Sequence, residues 1–197
     1  MFRRFSTIAS LLFIGLAFSG CSGDTGPTGP AGPTGDTGLT GDPETANVMF
    51  SAWFTPSTYT LTSPFGVNVL SHDEAAAQIT QAILDTGVVL VFGKLNGYST
   101  TIWPTDQVGQ LPISVQYITD VIQLDVWSAN LSVGNVQIAF MNNMNLYTSL
   151  FTAHEFRYVI IPGGVAAASS LSGTRLQDLS YEQIREIFGV PQTGSRF

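Results

Sequence analysis

Apolar residues alternate with polar ones, or gather in short β-branched runs, over most of the chain beyond residue 46. That is the pattern of strands buried on one or both faces. In NVMFSAWF (Asn47–Phe54), Val48, Phe50 and Ala52 fall on one face and Met49, Ser51 and Trp53 on the other. STYTLT (Ser57–Thr62) sets Tyr59 and Leu61 opposite its threonines. GVVLVFGKL (Gly87–Leu95) is almost continuously apolar and predicts a central strand covered on both faces. Asn96-Gly97 is a hairpin dipeptide, so Tyr98–Trp103 is expected to pair back onto that strand. Leu111–Tyr117, Val121–Trp127 and Val136–Met141 read as further strands, with a turn at Gly134-Asn135. HEFRYVIIP (His154–Pro162) is the last strand, stopped by Pro162-Gly163-Gly164.

Two helices interrupt the strands. Ser71-His72-Asp73-Glu74 matches a capping box, followed by AAAQITQAIL, in which Ala76, Ile79 and Ile83 form a stripe and Gly87 ends the helix. Ser180-Tyr181-Glu182-Gln183 is a second box. It opens a helix whose Ile184, Ile187 and Phe188 face inward and which Gly189 and Pro191 close. The expectation is a mainly β, antiparallel β-sandwich-like domain with two short helices over residues 44–197, long enough for one core.

The first 43 residues follow other rules. Arg3 and Arg4 precede an apolar run from Ile8 to Phe18, then Ser19 and Gly20. This is the layout of a secretory signal over residues 1–20, and the run is too short to span a bilayer. Cys21 is the sole cysteine, so it has no internal disulfide partner. From Gly23 to Gly41 glycine occupies every third position, with Pro or Asp commonly second and Thr commonly third. Glycine at that spacing fits the crowded axis of a collagen triple helix. Two readings stay open for residues 21–43: an extended single-chain spacer, roughly 60 Å long at about 3.1 Å per residue, or a stalk made by three copies of the chain.

Phe18-Ser19-Gly20-Cys21 resembles the lipobox of bacterial lipoproteins, although Phe18 stands where that motif usually has Leu. The resemblance implies cleavage before Cys21 and acylation of its thiol and new amine. Lipobox, short Gly-x-y repeat and small domain together resemble the collagen-like surface lipoproteins of Gram-negative bacteria. FRYVIIPGG (Phe156–Gly164) is similar to stretches of members of that group. The resemblance implies an outer-membrane location, with Ser22 compatible with sorting there, on the periplasmic or the cell-surface side. It implies no activity. Each acyl methylene buried in lipid contributes about 0.8 kcal/mol, and stable anchoring takes more than one chain.

Composition narrows the partners. The chain carries seven basic and fourteen acidic residues, for a net charge of −7. Loss of Arg3 and Arg4 with the signal leaves five basic residues, so the processed form is near −9. Such a balance argues against nucleic acid and against direct binding to anionic lipid. Only 11% of residues are charged, with Ser, Thr, Asn and Gln filling polar positions, as in extracellular β-rich proteins.

No catalytic constellation stands out. His72 and His154 each sit beside an acid, but a zinc site wants three or four convergent ligands. SLSGTR (Ser170–Arg175) lacks the strand–turn–helix setting of a nucleophile elbow. PGGV (Pro162–Val165) has alanines where a phosphate loop needs Lys and Ser or Thr. Carboxylate pairs could be drawn from Asp106, Asp120, Asp125 and Glu155, with nothing to choose among them. Arg157 is expected on a solvated face or paired with an acid such as Asp85 or Asp125. Of the aromatics Trp53, Phe54, Trp103, Tyr117, Trp127 and Tyr147, Trp103 is the candidate ligand-binding ring, since it precedes Pro104 at a strand end; packing is the competing reading. No metal or cofactor is implied. The leading expectation is a lipid-anchored, stalked envelope protein that binds a glycan or an envelope protein, or serves a structural role. The alternative is a small anchored enzyme acting on polysaccharide or peptide.

Overall fold

A computed structural model of the chain describes residues 47–151, 153–164 and 175–197. Cys21, the signal, the glycine repeat and all of SLSGTR except Arg175 lie outside the described residues.

The fold is mainly β, with two antiparallel sheets facing one another. In chain order the elements are β1 (Met49–Phe50), β2 (Thr60–Thr62), β3 (Val69–Ala76), α1 (Gln81–Thr86), β4 (Val88–Lys94) and β5 (Gly109–Gln110). There follow β6 (Ile113–Ile118), β7 (Ile122–Ser132), β8 (Gly134–Asn142), β9 (Glu155–Ile161) and α2 (Tyr181–Phe188). Sheet 1 has the order β1-β9-β4-β5 and sheet 2 the order β2-β3-β8-β7-β6.

Alternation places the core between the sheets. Val91, Phe156, Tyr158 and Ile160 of sheet 1 pack with Leu70, Trp127, Ile138 and Phe140 of sheet 2. The other face of sheet 1 is also covered. Leu90, Phe92, Val159 and Ile161 meet Tyr181, Ile184 and Phe188 of α2, so β4 is the doubly buried strand its apolar run predicts. The Ser180 box is present: its Oγ accepts from the Gln183 amide at 3.3 Å, and the Gln183 side chain accepts from the Ser180 amide at 2.8 Å. Gly189 ends the helix at φ 63°, in the left-handed region that favours glycine.

Four expectations are corrected. Ser71–Glu74 caps no helix, because these residues belong to β3, paired with β8 from Val69↔Met141 to Ala76↔Gly134. A box needs a helix after it, and here the ladder with β8 claims the backbone instead. Ala76 and Ile79 are nonetheless buried as the stripe requires, and the helix that does form begins after Thr80. Asn96-Gly97 makes no hairpin either. Asn96 Nδ2 donates to the Ala153 carbonyl at 2.7 Å, Tyr98–Trp103 is a run of turns, and β4 pairs with β5 instead. Third, Trp53 changes face. Phe50 pairs with Val159 and Phe54 bridges Phe156, four steps against three, so one residue is bulged and the alternation inverts. Trp53 thus packs on the α2 side, edge-on to Tyr181. Fourth, Arg157 is wholly buried. Its guanidinium donates to the Tyr181 hydroxyl and to carbonyls of Ser51, Pro191, Gln192 and Gly194, with no acid among its described partners.

Candidate functional site: an aromatic pocket at one end of the sandwich

Parity along β7 builds the floor. Gln123, Asp125, Trp127 and Ala129 point inward, as every second residue of a strand must. Trp127 lies opposite Phe140 of β8 and Ile113 of β6, and all three are buried. One pleat further on, Asp125 lies opposite Asn142 and Val115. The interior therefore turns polar as it nears one end of the sheets: Gln123, Asp125 and Asn142 are each almost inaccessible to solvent.

Two loops raise walls around that end. The segment after β4 brings Gly97 and Tyr98, and the segment between β8 and β9 brings Tyr147, Phe151 and, just ahead of β9, His154. With Tyr117 from the end of β6 they enclose a cavity of about 370 Å³, within the usual size range of small-molecule sites. Gly97 is required here. Its φ is +100°, and a Cβ would meet the Phe151 ring at 2.9 Å.

The polar groups form two hydrogen-bonded sets. Trp127 Nε1 donates to the Tyr98 hydroxyl at 3.1 Å, and that hydroxyl donates to Asp125 Oδ2 at 2.7 Å. Asn142 Nδ2 donates to Asp125 Oδ1 at 2.6 Å. The Tyr117 and Tyr147 hydroxyls bond each other at 2.9 Å. Burial, reinforced by the Asp125 charge, pushes the Tyr98 hydroxyl far above the ordinary tyrosine range. Burial and then the bond to Tyr147 do the same to Tyr117. Both therefore remain protonated. His154 is enclosed by the rings of Trp127, Tyr98 and Phe151, at centroid distances of 4.5, 6.3 and 6.2 Å. Burial lowers its pKa to about 4, so the ring is neutral at pH 7, and its Nδ1 is buried without a partner among the described residues. Such an orphan is uncommon in a folded interior.

The residues picked out in the sequence divide sharply. Tyr117, Trp127, Tyr147, Asp125 and His154 converge on this pocket. Trp103 does not line it. Trp103 is half-buried, its Nε1 donates to the Gln107 carbonyl at 3.1 Å, and its ring rests where Gly109 leaves room. His72 lies in β3, bonded to the Thr58 carbonyl at 3.0 Å and facing Glu74 at 3.4 Å. Asp106 and Asp120 are exposed, and Glu155 pairs with Lys94 at 3.3 Å. Sequence reasoning missed Tyr98 altogether by placing it in a strand. For Asp125 a signal existed: it shares parity with Trp127, so an inward Trp carries the acid inward too.

Among the described residues, no group of three or more His, Cys, Asp or Glu is placed to hold a metal, and no helix is long and apolar enough to cross a membrane. No family model, curated protein or solved structure matches the chain.

Proposed function

We propose that this is a lipid-anchored, stalked protein of the outer membrane whose β-sandwich domain binds a small ligand, or one residue of a larger one, in the pocket over Trp127. The pocket carries the reading: a preformed cavity walled by rings, with a few fixed polar groups at its floor, is the usual form of a small-ligand site. The lipobox around Cys21 and the glycine repeat supply the anchor and the spacer. The first described residue, Asn47, precedes β1, which pairs with the far end of β9 from His154. Asn47 thus lies at the end of the domain opposite the pocket.

The test has two arms. Metabolic labelling with palmitate should mark the protein in cells, and Cys21→Ala should abolish the label and release the protein from membranes. The purified protein should bind members of a library of sugars, amines and short peptides, and Ser149→Trp, which fills the pocket wall, should abolish that binding. Chemical conversion of a library member, lost in Asp125→Asn, would replace the binding reading with the enzymatic one.

A further inference from the structure

We infer that the pocket selects an organic ammonium ion: a positively charged amine on an apolar stem. This rests on the reading of the pocket as a ligand site and assigns the chemistry of its occupant.

The first argument is charge. Asp125 is 1% exposed, and a buried carboxylate is costly unless compensated. No ion pair among the described residues includes it. Its partners, Tyr98 and Asn142, are neutral donors. The neighbouring His154 is neutral as well and supplies no counter-charge. The Asp125 carboxyl at the floor of the cavity thus has neutral hydrogen-bond donors beside it and no cationic side chain among the described residues.

The second argument is the balance of donors and acceptors. Several donors around the pocket are spent within the protein: Trp127 on Tyr98, Tyr98 and Asn142 on Asp125, Asn96 on the Ala153 carbonyl, and one of the Tyr117 and Tyr147 hydroxyls on the other. Acceptor capacity is left over. Each Asp125 oxygen has lone pairs beyond those its partners use, and neutral His154 carries a lone-pair nitrogen. An ammonium group brings donors and no acceptor.

The third argument is the walls. Trp127, Tyr98, Tyr117, Tyr147, Phe140 and Phe151 all border the cavity. Aromatic faces attract cations, most strongly where water is excluded, and they also pack against an alkyl stem. Ring walls over a buried carboxylate satisfy both ends of an alkylammonium ion at once.

The experiment compares hexylammonium with hexanol, its uncharged counterpart, by titration calorimetry on the purified full-length protein. The expected result is preference for the amine by about tenfold or more, reduced to near parity in Asp125→Asn. Phe151 is 62% exposed, so Phe151→Leu leaves the fold alone. It should weaken the amine several-fold and hexanol little, which keeps the test sound if Asp125→Asn unfolds. Equal affinity for amine and alcohol in the wild type would overturn the ammonium assignment and leave the pocket as a ligand site. So would binding of a neutral sugar with no binding of the amine. Saturable binding that survives Ser149→Trp would overturn the pocket itself.

Discussion

The guanidinium of Arg157 donates to the hydroxyl of Tyr181 at 2.8 Å, joining β9 to helix α2 inside the core. The same group holds the carbonyls of Ser51, Pro191, Gln192 and Gly194, and lies 5.0 Å from the Phe50 ring centroid. One side chain thus fastens the C-terminal segment to sheet 1. Arg157→Met would leave several buried acceptors without donors, at about 1–3 kcal/mol for each that stays dry. We expect a loss of roughly 3 kcal/mol or more by urea denaturation. Arg157→Lys should recover little of it, because an ammonium cannot reproduce the planar fork.

His154 predicts a pH dependence. Its pKa is near 4 in the folded protein, against 6.5 ordinarily, because it is buried. The unfolded chain therefore takes up a proton that the folded chain refuses. Stability is full above pH 6.5, falls as pH drops toward 4, and the contribution of this group levels off below that. The two pKa values cap the effect at about 3 kcal/mol. Unfolding measured between pH 7.5 and pH 4 (about the window) should show a smaller slope in His154→Phe than in the wild type.

Gly87 predicts a steric cost that its dihedral angles do not reveal. Its φ is −98°, which any residue can adopt, and its amide caps α1 at Ile83. A Cβ there would meet the carbonyl oxygens of Ile161 at 2.8 Å and Ile83 at 2.9 Å, both backbone. Gly87→Ala should therefore destabilise by about 1–3 kcal/mol, where a simple exposed helix end would gain from alanine. Thermal unfolding distinguishes the two signs.

The anchor predicts a separable phenotype. Cys21→Ala should move the protein from the membrane fraction to the soluble one without changing ligand affinity or unfolding midpoint. Acyl attachment and pocket binding belong to different parts of the chain. A fall in affinity alongside release would show that the two are coupled.

Local signals were legible where one short segment carries the whole message. The Ser180 box specifies α2 because cap, partner and apolar stripe lie within one turn of each other. The run from Val88 to Phe92 specifies a strand buried on two sides because both parities are apolar. Ser71–Glu74 misled because a capping pattern says nothing about whether a neighbouring strand competes for the same backbone, and β8 does. Trp53 misled because one bulged residue reverses every later side chain, and no residue type marks that bulge. The pocket was largely hidden because its parts lie on β6, β7, β8 and two loops, and only the folded register brings Tyr98 onto Asp125. Aromatic content alone does not single out the pocket, and Trp103 lies away from it because its ring folds onto its own loop.

The claim that the cavity over Trp127 is the ligand site is most directly tested by the indole N–H resonances of the purified protein during titration with hexylammonium. Trp127 Nε1 bonds to Tyr98 at the pocket floor, whereas Trp53 Nε1 bonds to the Gln192 carbonyl on the far side of sheet 1. The account predicts a saturable shift of the Trp127 resonance with Trp53 unmoved. A saturable shift at Trp53 or Trp103 with Trp127 unmoved would contradict it.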